Sequence, residues 1–168
     1  AWGIPQDAFV LAFVGAFTAR KGAARASEAI ARAGGAFGIF AGKGEEAPSG
    51  AHILFAGAVE PARVAEFLNA ADAFLLPTRN EGCCNALVEA MACGLPLITS
   101  DRDFNRDIAG ADNAILIEPD DVDAIARAIC TLRDDPGRRR ALGARSLERA
   151  KSLTISARAE AILAFMRE

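Results

Sequence analysis

Two carboxylates, Glu81 and Glu89, lie eight residues apart in one short stretch of this 168-residue chain. A carboxylate can accept two hydrogen bonds from adjacent hydroxyl groups, such as those of a ribose or a hexose. Pairs at this spacing are common, so the spacing alone indicates little. Their placement is more informative, because one falls in a predicted loop and the other on a predicted helix that begins between them. A helix N-terminus offers free N–H groups and a positive dipole end to an anion such as phosphate.

The residues around these carboxylates predict the elements that position them. The apolar run Ala73–Pro77 is short enough to be a buried strand, and Leu95–Thr99 is a second such run. Asn85–Cys93 is rich in Ala, Leu and Met, and a Gly and a Pro follow it in the order that ends a helix. Glu81 then lies at the carboxyl end of the first strand and Glu89 about one turn into the helix. Ligands of open α/β sheets bind outside the carboxyl ends of the strands.

The rest of the chain alternates between apolar runs and helical patterns. Continuous apolar runs are typical of strands that a sheet buries on both faces, and four more are present: Phe9–Val14, Phe37–Ala41, Ile53–Ala56 and Ala114–Ile117. Helices are predicted over 23–33, near 64–71, and over 121–132, 136–151 and 154–167. Residues 103–112 predict a loop with a short helix. The last helix carries four apolar residues on one stripe: Ala159, Ile162, Leu163 and Met166. The alternation predicts an α/β fold, a doubly wound parallel sheet of about six strands with helices on both faces, forming one domain.

Composition excludes several classes of function. The net charge of −3 gives no general attraction to nucleic acid, although residues 133–168 carry nine Lys and Arg against five Asp and Glu. Such a basic stretch could contact phosphate or anionic lipid, but a solvated helix face is the favoured interpretation. The four cysteines form no C-x-x-C pair and His52 is the only histidine, which argues against a zinc site. The sequence shows no transmembrane run or signal peptide, and thiols of this kind are typical of a reducing cytoplasm.

Other chemistries lack their motifs. Gly42-Lys43-Gly44 does not have P-loop spacing, and the residues after Gly15 do not continue as G-x-G-x-x-G. Cys83 and Cys84 have no nearby base, so a cysteine nucleophile is disfavoured. Lys21 precedes the first helix at the carboxyl end of a strand, where it is either a solvated loop lysine or a cation facing a ligand.

Taken together, these segments resemble the C-terminal half of GT-B glycosyltransferases, specifically the large retaining group 4. The central similarity is the E-x7-E motif from Glu81 to Glu89. Supporting segments follow in the same order as in that family: Phe13-Val14-Gly15 with Lys21-Gly22, Ala41-Gly42-Lys43-Gly44 and Ala71–Thr78. The resemblance extends from about Ile4 to the last helix, and it implies a Rossmann-like domain that binds a nucleotide-sugar donor.

The resemblance also implies a role for each matching residue. Glu89 would hold the ribose hydroxyls, and Glu81 would contact hydroxyls of the transferred sugar. Lys21, beside Gly15, would stabilise the leaving diphosphate. The base would lie near Val59. The diphosphate would be held at the loop and helix start that follow Glu81, by the backbone around Gly82, Cys83, Cys84, Asn85, Ala86 and Leu87. Catalysis would then depend on Glu81 and Lys21, with retention of anomeric configuration and no metal or other cofactor.

Two positions depart from the family pattern. Many members carry an Arg directly after the first strand's glycine, where this chain has Ala16. Either Arg20 compensates for that charge or the donor is held less tightly. Cys83-Cys84 also replace a frequent Phe-Gly pair; backbone contacts to the donor survive this change, whereas side-chain contacts need not.

The family places its acceptor site on an N-terminal domain, which we expect to be absent from these residues. The chain would therefore bind donor weakly at best and transfer nothing alone. An apolar face left for that domain would favour a homodimer, and the full-length protein is expected in the cytoplasm, with peripheral contact at the inner membrane face as a further expectation. Two alternatives stay open: a GT-B sugar-nucleotide epimerase or phosphorylase, for the second of which no cofactor motif is evident, and a non-catalytic binding domain of the same fold.

Overall fold

A computed structural model describes residues 3–82 and 84–166 of the chain. The predicted donor contact at Cys83 lies outside the described residues. These residues form six β-strands: β1 Phe9–Val14, β2 Ala36–Ala41, β3 Ile53–Gly57, β4 Ala73–Leu76, β5 Leu97–Ser100 and β6 Ala114–Ile117. They form six α-helices: α1 Ala23–Ala33, α2 Val64–Leu68, α3 Asn85–Ala92, α4 Val122–Asp134, α5 Pro136–Ala150 and α6 Ile155–Phe165. Short 3-10 turns occupy Pro61–Arg63, Asp103–Asn105 and Lys151–Leu153.

The six strands form one parallel sheet in the order β3-β2-β1-β4-β5-β6. The chain winds outward from β1 to β3, returns to the other side of β1, and continues outward from β4 to β6. The winding direction therefore changes between β1 and β4, which pair through Leu11 with Ala73 and Ala12 with Phe74. The predicted Rossmann-like doubly wound sheet is confirmed. The pairing of β1 with β4 places the loops that carry Lys21 and Glu81 side by side. Ligands bind at the carboxyl edge of such a switch point.

Helices cover both faces of the sheet, as predicted. Helix α1 packs against α4, whereas α3 packs against α2 and α5. Asp121 begins α4 by accepting a hydrogen bond from Ala124 N at 2.8 Å, which is the usual role of an Asp before a helix. The apolar runs of the strands form the core, in which the Phe13 and Phe40 rings stack with centroids 5.2 Å apart. Each such fully buried side chain contributes about 1.5–3 kcal/mol of hydrophobic stabilisation.

The predicted last helix is present as α6, but its apolar stripe does not face the core. Ile162, Leu163 and Met166 are 62%, 52% and 75% exposed in the structure, and Ala159 is exposed as well. Five other helices cover the two faces of the sheet, and the main contacts of α6 are with the turn at Lys151–Leu153. The apolar periodicity correctly indicated a helix, but it did not indicate a partner within these residues.

The structure describes no helix with both the length and the apolar character needed to span a bilayer. Its described residues also hold no cluster of three or more His, Cys, Asp or Glu side chains that could bind a metal ion.

Candidate functional site

Three side chains that the sequence singled out meet at the carboxyl edge of β1 and β4. Glu81 Oε1 lies 2.8 Å from Lys21 Nζ and 2.6 Å from Arg20 Nη1. The Glu81 and Lys21 side chains are only 9% and 13% exposed, whereas Arg20 is 51% exposed. Two positive charges therefore face one carboxylate in a partly desolvated crevice, where electrostatic interactions are stronger than in water.

A buried hydroxyl completes the environment of Glu81. Thr78 Oγ1 donates a hydrogen bond to Glu81 Oε1 at 2.9 Å, and Thr78 is fully buried. The Thr78 carbonyl in turn accepts a hydrogen bond from Ser100 Oγ at 2.6 Å, and Asn105 Nδ2 donates to Ser100 Oγ at 3.2 Å. This network fixes the loop after β4 to the end of β5. Sequence reasoning gave no role to Thr78, although its place three residues before Glu81 in the same loop was an available signal.

The loop after β1 is held from behind by the glycine-rich turn after β2. Gly15 N donates to Ala41 O at 3.0 Å, and Phe17 N donates to Lys43 O at 2.9 Å. A Cβ atom at Gly42 would lie only 1.9 Å from the Gly15 carbonyl oxygen, so glycine is required for this close approach. The turn is thus a packing element, consistent with its lack of P-loop spacing. On the other side of the loop, the Lys21 stem passes over Gly15, with Cδ 3.6 Å from the position of a Cβ there.

Helix α3 directs its N-terminus to the same crevice. No side-chain cap and no first-turn acidic residue is present among the described residues, so the positive end of its dipole is not neutralised locally. Of the predicted diphosphate contacts, Gly82 and Asn85 are exposed and Ala86 is half-buried. Leu87 is buried, and its N–H already donates to Cys84 O at 3.1 Å. The Leu87 N–H is therefore already engaged within the first turn of α3.

Cys84, at the start of α3, is a buried thiol. Burial raises its pKa, which outweighs the opposing effects of Lys21 and of the backbone N–H groups of Leu87 and Ala86. The neutral thiol is a poor nucleophile. This agrees with the interpretation of Cys84 as a backbone contact rather than a catalytic group.

Glu89 lies on α3 just beyond this N-terminus. Its carboxylate makes no hydrogen bond or ion pair with another residue of 3–82 and 84–166, and partial burial raises its pKa. A carboxylate in this state has its full capacity to accept hydrogen bonds from a ligand.

Val59 lies farther along the sheet, after β3. It is half-buried and lines a cavity of about 300 Å³ together with Ala58 and Phe67. A larger cavity of about 990 Å³ lies at the opposite edge of the sheet, around the start of β1 and Asp72. None of the predicted site residues lines it, so cavity size does not identify the site.

The similarity to known proteins agrees with this fold. The family described as Glycosyl transferases group 1 matches residues 1–149, and the chain belongs to that family. It is 32% identical to the putative teichuronic acid biosynthesis glycosyltransferase TuaC of Bacillus subtilis over 131 residues, 76% of this chain and 33% of that protein. It is 30% identical over 161 residues to the phosphatidyl-myo-inositol mannosyltransferase of Mycolicibacterium smegmatis, 88% of this chain and 42% of that protein.

Solved structures show the same GT-B half. Sucrose-phosphate synthase from Thermosynechococcus elongatus superposes with a TM-score of 0.86 at 26% identity, over 98% of this chain and 46% of that one. Anabaena Alr3699/HepE in complex with UDP and glucose has a TM-score of 0.83 over 96% of this chain and 49% of that one; at 16% identity it indicates the fold alone. The chain thus spans about a third to a half of the length of these proteins.

Proposed function

We propose that this chain is the donor-binding domain of a retaining glycosyltransferase of the family-4 type. It binds a nucleoside diphosphate-sugar and supports transfer of the sugar to an acceptor held by a second, N-terminal domain. The observation that carries the proposal is the convergence of Lys21, Arg20 and Glu81 beside the N-terminus of α3. The relatives named as glycosyltransferases and the neighbour solved with UDP and glucose support the same function.

The donor would lie along the carboxyl edge of the sheet. Its ribose hydroxyls donate to Glu89, its diphosphate lies at the N–H groups of Cys84, Asn85 and Ala86, and its base lies toward Val59. When the bond between the sugar C1 and the diphosphate breaks, negative charge accumulates on the diphosphate. Lys21 and Arg20 stabilise that charge, so no metal ion or other cofactor is required.

Donor binding would replace the ion pair between Lys21 and Glu81. Lys21 Nζ lies 2.8 Å from Glu81 Oε1, with Arg20 on the same oxygen. An arriving diphosphate competes for both cations, and Glu81 is then available to accept hydrogen bonds from the sugar hydroxyls. Arg20 thereby supplies the positive charge that the family pattern places at Ala16.

The proposal extends to the setting of the full-length protein. We propose that it acts in the cytoplasm with peripheral contact at the inner membrane face, because one relative is named as a phosphatidyl-myo-inositol mannosyltransferase, whose name contains a lipid. This chain alone would be inactive, and its exposed apolar side chains, such as Phe55 at 57% and Ile155 at 88% exposure, favour contact with the second domain or with a second copy.

Calorimetric titration of the full-length protein with UDP, GDP and ADP, with and without magnesium, tests the proposal. We expect one nucleotide to bind independently of magnesium. Lys21→Met should weaken that binding by roughly tenfold or more, since a hydrogen bond to a charged group contributes about 1.5–3 kcal/mol. Lys151→Met is the matched control, because Lys151 is exposed and pairs only with Glu148 among the described residues. Failure of all three nucleotides to bind, or binding that depends on magnesium, would contradict the proposal.

A further inference from the structure

The guanidinium of Arg25, in the first turns of α1, contacts three separate loops at the carboxyl edge of the sheet. Nη1 donates to Ala19 O at 2.8 Å, in the loop after β1. Nη2 donates to Pro77 O at 3.0 Å, in the loop after β4. Nε donates to Pro119 O at 2.9 Å, after β6, and lies 3.5 Å from Asp120 Oδ1. One rigid, planar group therefore joins segments that are distant in sequence.

The first two of these loops carry the charged groups of the site. Ala19 directly precedes Arg20 and Lys21, and Pro77 directly precedes Thr78, which donates to Glu81. The Arg25 side chain is 15% exposed and makes no hydrogen bond or ion pair with the side chains of Lys21, Arg20 or Glu81. Burial, followed by the charge of Arg79, lowers the pKa of Arg25, and Asp120 opposes this effect. The guanidinium still remains protonated at neutral pH.

The local sequence makes room for these contacts. Gly22, at the start of α1, has φ +78°, a left-handed conformation that glycine adopts without strain. A Cβ atom at Gly22 would lie 2.6 Å from Arg25 Nη2 and 2.8 Å from Pro77 O. Any side chain there would push apart the hydrogen bond that joins α1 to the loop after β4.

We propose that Arg25 is a positioning residue that sets the separation of the Lys21 ammonium and the Glu81 carboxylate by holding the backbones of their two loops. This inference rests on the proposed function, because it assigns to Lys21 a contact with the donor diphosphate. Arg25 does not touch the donor. Its loss releases the carbonyl groups of Ala19 and Pro77, and the cation and the α3 N-terminus no longer face the same phosphate.

The test compares nucleoside monophosphate and diphosphate binding by the full-length protein. For the base that the wild type binds, calorimetry gives the gain in affinity from UMP to UDP, GMP to GDP or AMP to ADP. Arg25→Ala and Arg25→Lys should each reduce this gain by about tenfold, since loss of a charge-assisted hydrogen bond costs that much or more. Monophosphate affinity should change much less. Lysine should not substitute, because one ammonium cannot reproduce three donors in a planar fork.

Rescue and a matched control separate positioning from general destabilisation. Methylguanidinium, added below concentrations that unfold proteins, should restore part of the diphosphate gain in Arg25→Ala, whereas methylammonium should not. Arg32→Ala and Arg32→Lys are the controls, since Arg32 lies on the same helix but pairs with the exposed Glu28 and Asp123. Circular dichroism and thermal unfolding identify variants that fail to fold; if Arg25→Ala does so, Arg25→Lys gives the result.

Each outcome is decisive. The positioning role is overturned if a folded Arg25 variant keeps the wild-type gain in affinity from monophosphate to diphosphate. It is also overturned if the variant loses affinity for both ligands equally. Either result leaves the proposed donor site intact. Absence of nucleotide binding by the wild type overturns the proposed function instead, and the positioning role with it.

Discussion

The substitution Glu89→Gln tests whether the Glu89 carboxylate binds the ribose of the donor or only contributes to the fold. The Glu89 carboxylate has no partner among residues 3–82 and 84–166, so replacing it breaks no contact that the structure describes. Partial burial raises its pKa, which means that folding disfavours the ionised form. At neutral pH the Gln variant should therefore unfold at the same temperature as the wild type or slightly higher.

The expected loss of affinity follows from the hydrogen bonds at stake. In the proposed complex two adjacent ribose hydroxyls donate to one carboxylate. A hydrogen bond to a charged group contributes about 1.5–3 kcal/mol, and a neutral one about 0.5–1.5 kcal/mol. Gln keeps one neutral acceptor oxygen and gives up the charged pair, so the net loss is about 1.5–3 kcal/mol, or roughly 10- to 150-fold in Kd.

The contribution of the ribose hydroxyls to binding can be measured by calorimetry. The two ligands are the nucleotide that the wild type binds and its 2′,3′-dideoxy analogue. The wild type should bind the dideoxy analogue more weakly by about the same factor, and Glu89→Gln should show little further loss on that analogue. Glu148→Gln, which removes an exposed carboxylate paired with Lys151, should bind both ligands as the wild type does. The ribose role is refuted if Glu89→Gln binds the ribonucleotide with wild-type affinity, or if it still discriminates fully between the two ligands.

Three further predictions follow from contacts in and behind the site. The pKa of Glu89 is raised above its usual 4.5, so the carboxylate loses charge, and nucleotide affinity should fall, as pH is lowered from about 7 toward 4.5. Calorimetry at several pH values should show a steeper fall in the wild type than in Glu89→Gln, because protonation of the nucleotide's terminal phosphate affects both proteins. Gly42→Ala puts a Cβ atom 1.9 Å from a backbone oxygen of the β1 loop and should cost about 1–3 kcal/mol or more, which lowers Tm. Gly82→Ala, where a Cβ atom meets nothing within 4 Å, should cost less. Thr78→Val removes the buried hydroxyl that donates to Glu81 and should lower the free energy of unfolding by about 1–3 kcal/mol, measured by chemical unfolding. The control is Thr131→Val, which removes an exposed hydrogen bond on α4. An equal or smaller cost for Thr78→Val would contradict the stabilising effect of the Thr78–Glu81 hydrogen bond.

The sequence predicts which strands and helices form better than it predicts which of them lie side by side. Strands buried on both faces must be continuously apolar, and all six predicted strands are present, with β3 extended to Gly57. Strand order is different, because it depends on which faces fit together in three dimensions. The pairing of β1 with β4, which brings Lys21 to Glu81 across 60 residues, is not encoded in any local pattern.

The candidate site shows the same division. The residues predicted to touch a ligand were identified from their types, their spacing and the resemblance to a family. The supporting contacts were not found, since Arg25 and Ser100 act through backbone carbonyl groups of loops that only the folded chain brings together. Arg25 lies on α1, four residues after Lys21, and nothing in that spacing indicates that it holds two loops together. For α6, periodicity identified the helix, but the surface it would pack on is not specified by its own residues.

The exposure of α6 has a kinetic consequence. An isolated helix of 11 residues is only marginally stable in water, and α6 receives little tertiary support from the described residues beyond the turn at Lys151–Leu153. Its backbone amides should therefore exchange with deuterium on the timescale of local fraying, while those of β1, β4 and β5 exchange only through global unfolding. In this chain, measured protection of α6 would then report directly on whatever surface covers it.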